Sequence, residues 1–115
     1  MPKKRGEGSL NEYWIFETEN WTENIERLIK GGLAKIRDKF SDYVYPQLKK
    51  EPHYGMNIKK LKDWQPKTWR YRIGDYRFFY EIDEEEKVVY LIAAYHRKEA
   101  YRMKNKLLPK LIDYL

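Results

Sequence analysis

Three arginines stand among aromatic and branched residues in the segment "WRYRIGDYRFFYEI", residues 69–82. Gly74 and Asp75 in its middle predict a two-residue hairpin turn with glycine in the first position. This turn places Arg72 directly opposite Arg77 in the two flanking strands. Because successive side chains of a strand point to opposite faces, one face of the hairpin is then apolar and the other carries the arginines.

We call the second of these surfaces the arginine face. Like charges directly across a strand pair destabilise it by up to about 1 kcal/mol, so an anionic ligand is one reason to keep them there. Guanidinium groups match phosphate oxygens in pairs, and an aromatic ring can stack on an unpaired base. The face therefore predicts an RNA phosphate site, or alternatively a solvated cationic surface. Its predicted members are Arg70, Arg72 and Arg77 around Phe79, with Glu81 at one edge.

A third strand follows in "KVVYLIAAYHR". If residues 83–86 form a four-residue loop, residue 88 pairs with residue 81, and His96 lies on the arginine face with Tyr90, Ile92 and Ala94. A change of one residue in this register would move His96 to the opposite face. Histidine exchanges protons near neutral pH, which makes His96 a candidate proton carrier. The alternative is a hydrogen-bonded surface histidine at a strand end.

The connection before the hairpin, residues 53–68, carries three lysines close together: Lys59, Lys60 and Lys62. Such a cluster is typical of a solvated surface, but it could also contact a polyanion. We include these lysines among the candidate RNA-binding residues.

Composition supports a polyanion or an acidic protein as partner, because 24 Lys and Arg against 18 Asp and Glu give 115 residues a formal net charge of +6. The sequence has no cysteine, so it has no disulfide and no thiolate metal site, which fits the cytoplasm. No stretch approaches the roughly 20 apolar residues of a membrane span. We expect a flexible basic arm or expression remnant at residues 1–10 and a single domain at residues 11–115, with no cofactor and no metal.

The remaining elements predict an α+β fold. Residues 12–18 resemble a first strand, and Asn20 is positioned to cap a helix that Gly31 and Gly32 stop. A second amphipathic helix follows, which Pro46 should kink or end. The order is then an N-terminal strand, an antiparallel helical hairpin, a three-stranded antiparallel meander and a C-terminal helix.

These features together resemble the RelE/ParE superfamily of toxins from type II toxin–antitoxin pairs. The resemblance is carried by "YRIGDYRFFYEID", a following strand ending in "HRKEAY", and two preceding helices, and it covers about residues 12–103. It implies a RelE-like α+β fold whose meander curves into one sheet. It also implies a cognate antitoxin protein as partner.

In the RelE-like branch, the resemblance implies an endoribonuclease that cleaves mRNA in the ribosomal A site without metal, by attack of a 2′-hydroxyl on the adjacent phosphate. It assigns Arg72, Arg77 and Arg97 to phosphate and transition-state charge. It assigns Tyr101 to base stacking or to orientation of the attacking hydroxyl. His96 is then the candidate proton carrier and Glu81 a possible base, unless Glu81 is a salt-bridge partner of Arg70 or Lys87.

Two alternatives remain open. A ParE-like toxin inhibits DNA gyrase by binding and performs no hydrolysis. The other alternative is an inactive, RNA-binding toxin remnant. It stays open because Arg70 and Arg72 stand where several RelE-like toxins have lysines, and arginine is a poor proton acceptor, so no base is assigned.

Overall fold

The structure of the protein is a computed structural model that describes residues 12–102, with side chains up to Glu99. The predicted arm at residues 1–10 lies outside this range. Five strands form one sheet in the spatial order β1-β5-β4-β3-β2, with β1 parallel to β5 and the other neighbours antiparallel. They are β1 (Trp14–Glu17), β2 (Ile58–Lys60), β3 (Trp69–Ile73), β4 (Tyr76–Asp83) and β5 (Val88–His96). The predicted meander is thus β3-β4-β5, and β2 extends it by one short strand.

The helical part lies between β1 and β2, apart from a helix after β5. Its elements are α1 (Glu19–Lys30), α2 (Ile36–Lys39), a π-helical segment (Phe40–Val44), α3 (Tyr45–Lys50) and, after β5, α4 (Arg97–Arg102). The predicted α+β class and the order of its elements are confirmed.

Helix α1 begins two residues earlier than its predicted cap implies. The cap is Thr18, whose Oγ1 accepts a hydrogen bond from the backbone N–H of Trp21 at 3.3 Å. Asn20 instead donates from Nδ2 to the carbonyl of Ile92 at 2.9 Å. The predicted cap at Asn20 is therefore wrong, because Thr18 reaches the exposed N–H groups of the first turn while its backbone is still extended. The helix ends at Gly31 as predicted.

Pro46 does not end the second helix. The chain passes through the π-helical segment, whose last bond runs from the N–H of Tyr45 to the carbonyl of Phe40, and Pro46 then stands in the first turn of α3. A proline is tolerated there because the N–H that it lacks has no partner within a first turn. The wider π turn marks the place where the helix is distorted.

The middle of β5 depends on polar side chains, because β1 ends opposite Leu91 and leaves the backbone beyond it without a strand neighbour on that side. Thr18 donates to the carbonyl of Leu91 at 2.6 Å and Asn20 to that of Ile92. Buried Asn24 accepts from the N–H of Ala94 at 2.9 Å. The start of α1 thus replaces β1 as the hydrogen-bonding partner of β5.

The main core fills the space between the helices and one face of the sheet. Trp21, Phe40 and Phe78 form a set of edge-to-face contacts, with ring centroids 5.0 Å apart for Trp21–Phe40 and 4.7 Å apart for Phe40–Phe78. Contacts of this kind are worth about 0.5–1.5 kcal/mol each beyond the area that they bury. This face contains the predicted apolar side of the hairpin, including Trp69, Tyr71, Phe78 and Tyr80. The arginine face is therefore the side of the sheet away from the helices.

Within residues 12–102, no helix is both long and apolar enough to cross a membrane.

Candidate nucleic-acid interface

The first hairpin has the predicted register. Arg72 lies opposite Arg77, and Arg70 lies opposite Phe79. Gly74 has a φ of 54°, a left-handed conformation that glycine adopts without the steric penalty of a Cβ atom. The glycine-first turn thus places Arg70, Arg72 and Arg77 on one face of the sheet.

Arg77 is the centre of this arginine cluster, and its side chain is almost entirely buried, with 4% exposed. One Nη atom donates to the carbonyl of Gly74 at 2.7 Å and to that of Tyr76 at 3.1 Å, so the guanidinium ties the turn that it follows. The cluster consists of Arg77 and three neighbouring arginines, namely Arg70, Arg72 and Arg97. Burial lowers the pKa of Arg77, and repulsion from these neighbours lowers that pKa further.

Arg97 joins the cluster from a different element. It is the first residue of α4, and its backbone N–H donates to the carbonyl of Asp75 at 2.8 Å, which holds the start of this helix against the hairpin turn. Arg72 and Arg97 are both exposed, in contrast to Arg77. The predicted partner Tyr101 belongs to α4, but its side chain lies outside the part of the chain that the structure describes.

The predicted register of the third strand is wrong. The loop is residues 84–87, so that Asp83 pairs with Val88, and a β-bulge at Ile92 shifts the pairing by one residue. Beyond the bulge, Phe79 pairs with Ala93, Arg77 with Tyr95, and Tyr76 with His96. Ala93 and Tyr95 therefore occupy the arginine face, and Ala94 and His96 lie on the helix side.

His96 is consequently separated from the guanidinium groups by the sheet. Its ring contacts the ring of Tyr76 edge-to-face at 4.9 Å. The Nδ1 atom of His96 accepts a hydrogen bond from the backbone N–H of Lys98 at 2.9 Å. The backbone N–H of His96 donates to the carboxylate of Glu99 at 3.1 Å. These contacts fix the start of α4, and thereby the position of Arg97.

Phe79 lies on the arginine face as predicted, but its ring is not available to a base. It is 2% exposed and packs with Leu61 and Ala93 in a second small core on this side of the sheet. The prediction that Phe79 stacks on a base is therefore wrong, because the segment before β3 covers the ring. Sequence reasoning missed this cover, although Leu61 and Trp64 are apolar residues in an otherwise lysine-rich connection.

The predicted lysine cluster is divided between the two faces. Lys59 lies opposite Arg70 and so extends the arginine face. Lys60 lies opposite Trp69 on the helix side, with its Nζ 5.7 Å from the centroid of the Trp69 ring. Lys62 is exposed in the loop that follows β2.

Glu81 lies on the arginine face, opposite Tyr90, and is half-buried. Burial raises the pKa of its carboxyl group. Its role as a possible base, or as a salt-bridge partner of Arg70 or Lys87, stays a prediction.

Beside the cluster, the arginine face also contains a cavity of about 280 Å³, which the sequence did not indicate. Its walls include Trp64, Thr68, Phe79, Glu81, Ala93 and Tyr95. Arg27 of α1 approaches one residue of the wall, because its guanidinium lies 5.9 Å from the centroid of the Tyr95 ring; it also pairs with Glu99 at 2.9 Å. In residues 12–102, no group of three or more side chains is suited to hold a metal ion.

The chain matches the family model described as the ParE toxin of the type II toxin–antitoxin system parDE, over residues 22–101. The chain belongs to this toxin family. It is therefore a toxin of the RelE/ParE superfamily, as the sequence resemblance implied. No curated protein sequence matches the chain.

Solved structures agree with this assignment. The toxin–antitoxin complex RelBE2 of Mycobacterium tuberculosis matches with 26% identity and a TM-score of 0.57, over 74% of this chain and 98% of the other. A double mutant of the toxin RelE of E. coli in the free state matches with 22% identity and a TM-score of 0.55, over 84% of this chain and 99% of the other. A metal-bound toxin of Helicobacter pylori matches with 19% identity and a TM-score of 0.59, over 74% and 94%. The last two show the shared fold.

Proposed function

We propose that this toxin is a ribosome-dependent endoribonuclease that cuts mRNA in the A site without a metal ion and so arrests translation. The observation that carries the proposal is the arginine cluster, in which Arg70, Arg72 and Arg97 all act on buried Arg77. Three guanidinium groups of the arginine face and one from the start of α4 form a site for phosphate. A toxin that acted only by protein contact would not require repelling charges to be kept so close together.

In the proposed reaction, the 2′-hydroxyl oxygen forms a bond to the adjacent phosphorus, and the bond from phosphorus to the 5′-oxygen breaks. The products are a cyclic phosphate and a 5′-hydroxyl. Exposed Arg72 and Arg97 contact the phosphate oxygens, and buried Arg77 adds its field where water does not screen it. Fixed positive charge at a developing phosphorane is commonly the largest catalytic contribution.

Proton transfer needs a group other than these arginines, because a guanidinium stays protonated. His96 lies across the sheet from the cluster, so we do not assign it this step and give it the role of fixing α4. We do not assign the step to Glu81 either, because its carboxylate belongs to the wall of the neighbouring cavity. Hydroxide from solvent then removes the hydroxyl proton and becomes water, and another water protonates the leaving oxygen.

The positive charge of the arginine face also indicates which kind of protein partner would bind there. We propose an acidic antitoxin that covers the arginine face and blocks RNA, in the cytoplasm where messages are translated. The similarity to one chain of the RelBE2 toxin–antitoxin complex supports a partner of this kind.

A second candidate function is inhibition of DNA gyrase by binding. It is favoured by one observation, namely that the matching family model describes a ParE toxin. In that case, the arginine cluster would have no hydrolytic role.

One experiment separates the two functions. Purified toxin is added to ribosomes that are stalled on a defined message, with EDTA present, and the 5′ ends of the fragments are mapped. In parallel, gyrase supercoiling is measured with the same toxin. Cuts within the A-site codon with active gyrase support the endoribonuclease. Intact message with inhibited gyrase contradicts it and supports the second candidate.

A further inference from the structure

The cavity on the arginine face is built by two local features. One is the β-bulge in β5, whose extra residue Ile92 belongs to the cavity wall. The other is the chain between β2 and β3, which closes on itself, with the N–H of Leu61 bonded to the carbonyl of Thr68 at 2.8 Å and the hydroxyl of Thr68 to the carbonyl of Pro66 at 2.9 Å. This closed loop holds Trp64 over the sheet.

The cavity has the size and lining of a site for one flat ring system. Its volume of about 280 Å³ lies just below the roughly 300–1,000 Å³ of pockets for drug-sized ligands. Aromatic and apolar side chains form most of the wall, and the rings of Trp64 and Tyr95 are only half-buried. Planar bases are held in RNA-binding proteins by stacking against such side chains.

The cavity adjoins the arginine cluster through two cross-strand pairs. Tyr95 of the wall lies opposite Arg77, and Phe79 of the wall lies opposite Arg70. Residues two apart on a strand are separated by about 7 Å, a distance that one nucleotide can bridge between its phosphate and its base. A phosphate at the arginines and a base in the cavity can therefore belong to the same RNA strand.

Among the described residues of the cavity wall, Glu81 is the one carboxylate. Glu81 is half-buried, and burial raises the pKa of its carboxyl group, because water solvates the charged form only in part. An ionised carboxylate only accepts hydrogen bonds, and it accepts best from two parallel donors. Among RNA bases, guanine offers two adjacent donors on its Watson–Crick edge, its ring N–H and its amino group. Adenine, cytosine and uracil each offer one donor there.

We propose that this cavity binds a guanine base of the RNA whose phosphate lies at the arginine cluster, and that Glu81 accepts from the Watson–Crick edge of that base. The assignment rests on the proposed function, because it takes RNA as the ligand. It gives the toxin a base preference that the arginines alone cannot supply, since phosphate contacts carry no sequence information.

The test is a titration of the full-length toxin with each of the four nucleoside 5′-monophosphates. Binding is measured by the change in the NMR chemical shift of the Trp64 indole N–H. Guanosine monophosphate should bind at least about tenfold more tightly than the other three, because a bidentate base contact discriminates to roughly that extent. Glu81→Gln should remove this preference, because an amide places a donor where guanine also donates. Arg72→Ala is the matched control, and it should weaken all four nucleotides while it keeps the preference.

Equal affinity for the four nucleotides, or an unchanged guanine preference in Glu81→Gln, overturns the inference. This outcome leaves the mapped cuts in stalled messages as an independent test of the proposed function. Conversely, guanine-selective binding that depends on Glu81 in a toxin that cuts no message supports the cavity assignment and contradicts the endoribonuclease.

Discussion

Arg72 and Arg77 lie directly opposite each other on the arginine face, yet one is exposed and the other is 4% exposed. Arg77 is fixed by the carbonyls of its own turn, whereas Arg72 projects towards solvent. The two positions therefore separate a structural arginine from one that is available to a ligand. This difference decides which substitution tests the proposed chemistry cleanly.

Arg77→Ala should destabilise the protein. It removes the donor to two turn carbonyls, and hydrogen bonds with a charged partner are worth about 1.5–3 kcal/mol each. Relief of repulsion from the neighbouring arginines offsets part of that loss. We expect a net loss of about 1–3 kcal/mol in the free energy of unfolding, measured by urea denaturation. An unchanged or raised stability would show that the turn does not depend on this guanidinium.

Glu81→Gln should stabilise the protein at neutral pH. Burial raises the pKa of Glu81 in the folded state, so the unfolded chain loses this proton more readily, and ionisation of Glu81 lowers the free energy of unfolding. This loss of stability is absent below the ordinary pKa of 4.5 and is complete above the raised pKa. The melting temperature of the variant should therefore exceed that of the wild type at pH 7, and the gain should vanish below pH 4.5. Glu85→Gln, in the exposed turn after β4, is the control and should show no such trend.

A histidine outside the arginine face should make stability depend on pH. His53 contacts the carboxylates of Glu51 and Glu84, at 2.8 and 2.5 Å. Burial alone would lower the pKa of His53, but the hydrogen bonds to both carboxylates outweigh it and raise the pKa above 6.5. The stability that this interaction contributes is fully present below pH 6.5 and is lost as pH rises through the raised pKa.

His53→Gln should therefore flatten the pH dependence of the melting temperature from pH 6.5 upward. Glu84→Gln is a matched variant that removes one of the two carboxylates and should reduce the slope partially. If His53→Gln retains the full slope of the wild type, another group is responsible for it.

Asn24→Leu should cost about 1–3 kcal/mol, because it leaves the buried N–H of Ala94 without its acceptor. Asn20→Ala removes an exposed hydrogen bond to the neighbouring carbonyl of Ile92 and should cost less. Thermal and urea unfolding of both variants measures the difference. Equal costs would mean that burial of Asn24 does not determine its contribution.

The predictability of the sheet differs between its two hairpins. Gly74 and Asp75 determine a two-residue turn, and the register that they imply for Arg72 and Arg77 is confirmed. The loop between β4 and β5 has no such signal, and the bulge at Ile92 lies where side chains of α1 replace β1. That bulge is a tertiary effect, because residues about 70 positions earlier hold it. The misplacement of His96 has this cause.

The candidate site was predictable to the same extent. The arginines of the first hairpin follow from alternation along two paired strands, so their common face was accessible to sequence reasoning. The cover over Phe79 was not, because it depends on the closed loop from Leu61 to Thr68 packing onto β4 and β5. The resulting cavity has Glu81 in its wall. Alternation along the strand predicts that Glu81 lies on the arginine face, but it does not predict the cavity.

The most direct test of the central claim is mRNA integrity in cells that express the toxin, Arg72→Ala or Arg37→Ala. Arg72 is exposed on the arginine face, and Arg37 is an exposed arginine of α2 on the helix side. We expect the wild type and Arg37→Ala to arrest growth and cut messages within codons. Arg72→Ala should be folded, with cleavage reduced by about 100-fold or more, the scale for loss of one transition-state contact. Undiminished cleavage by folded Arg72→Ala would contradict the account.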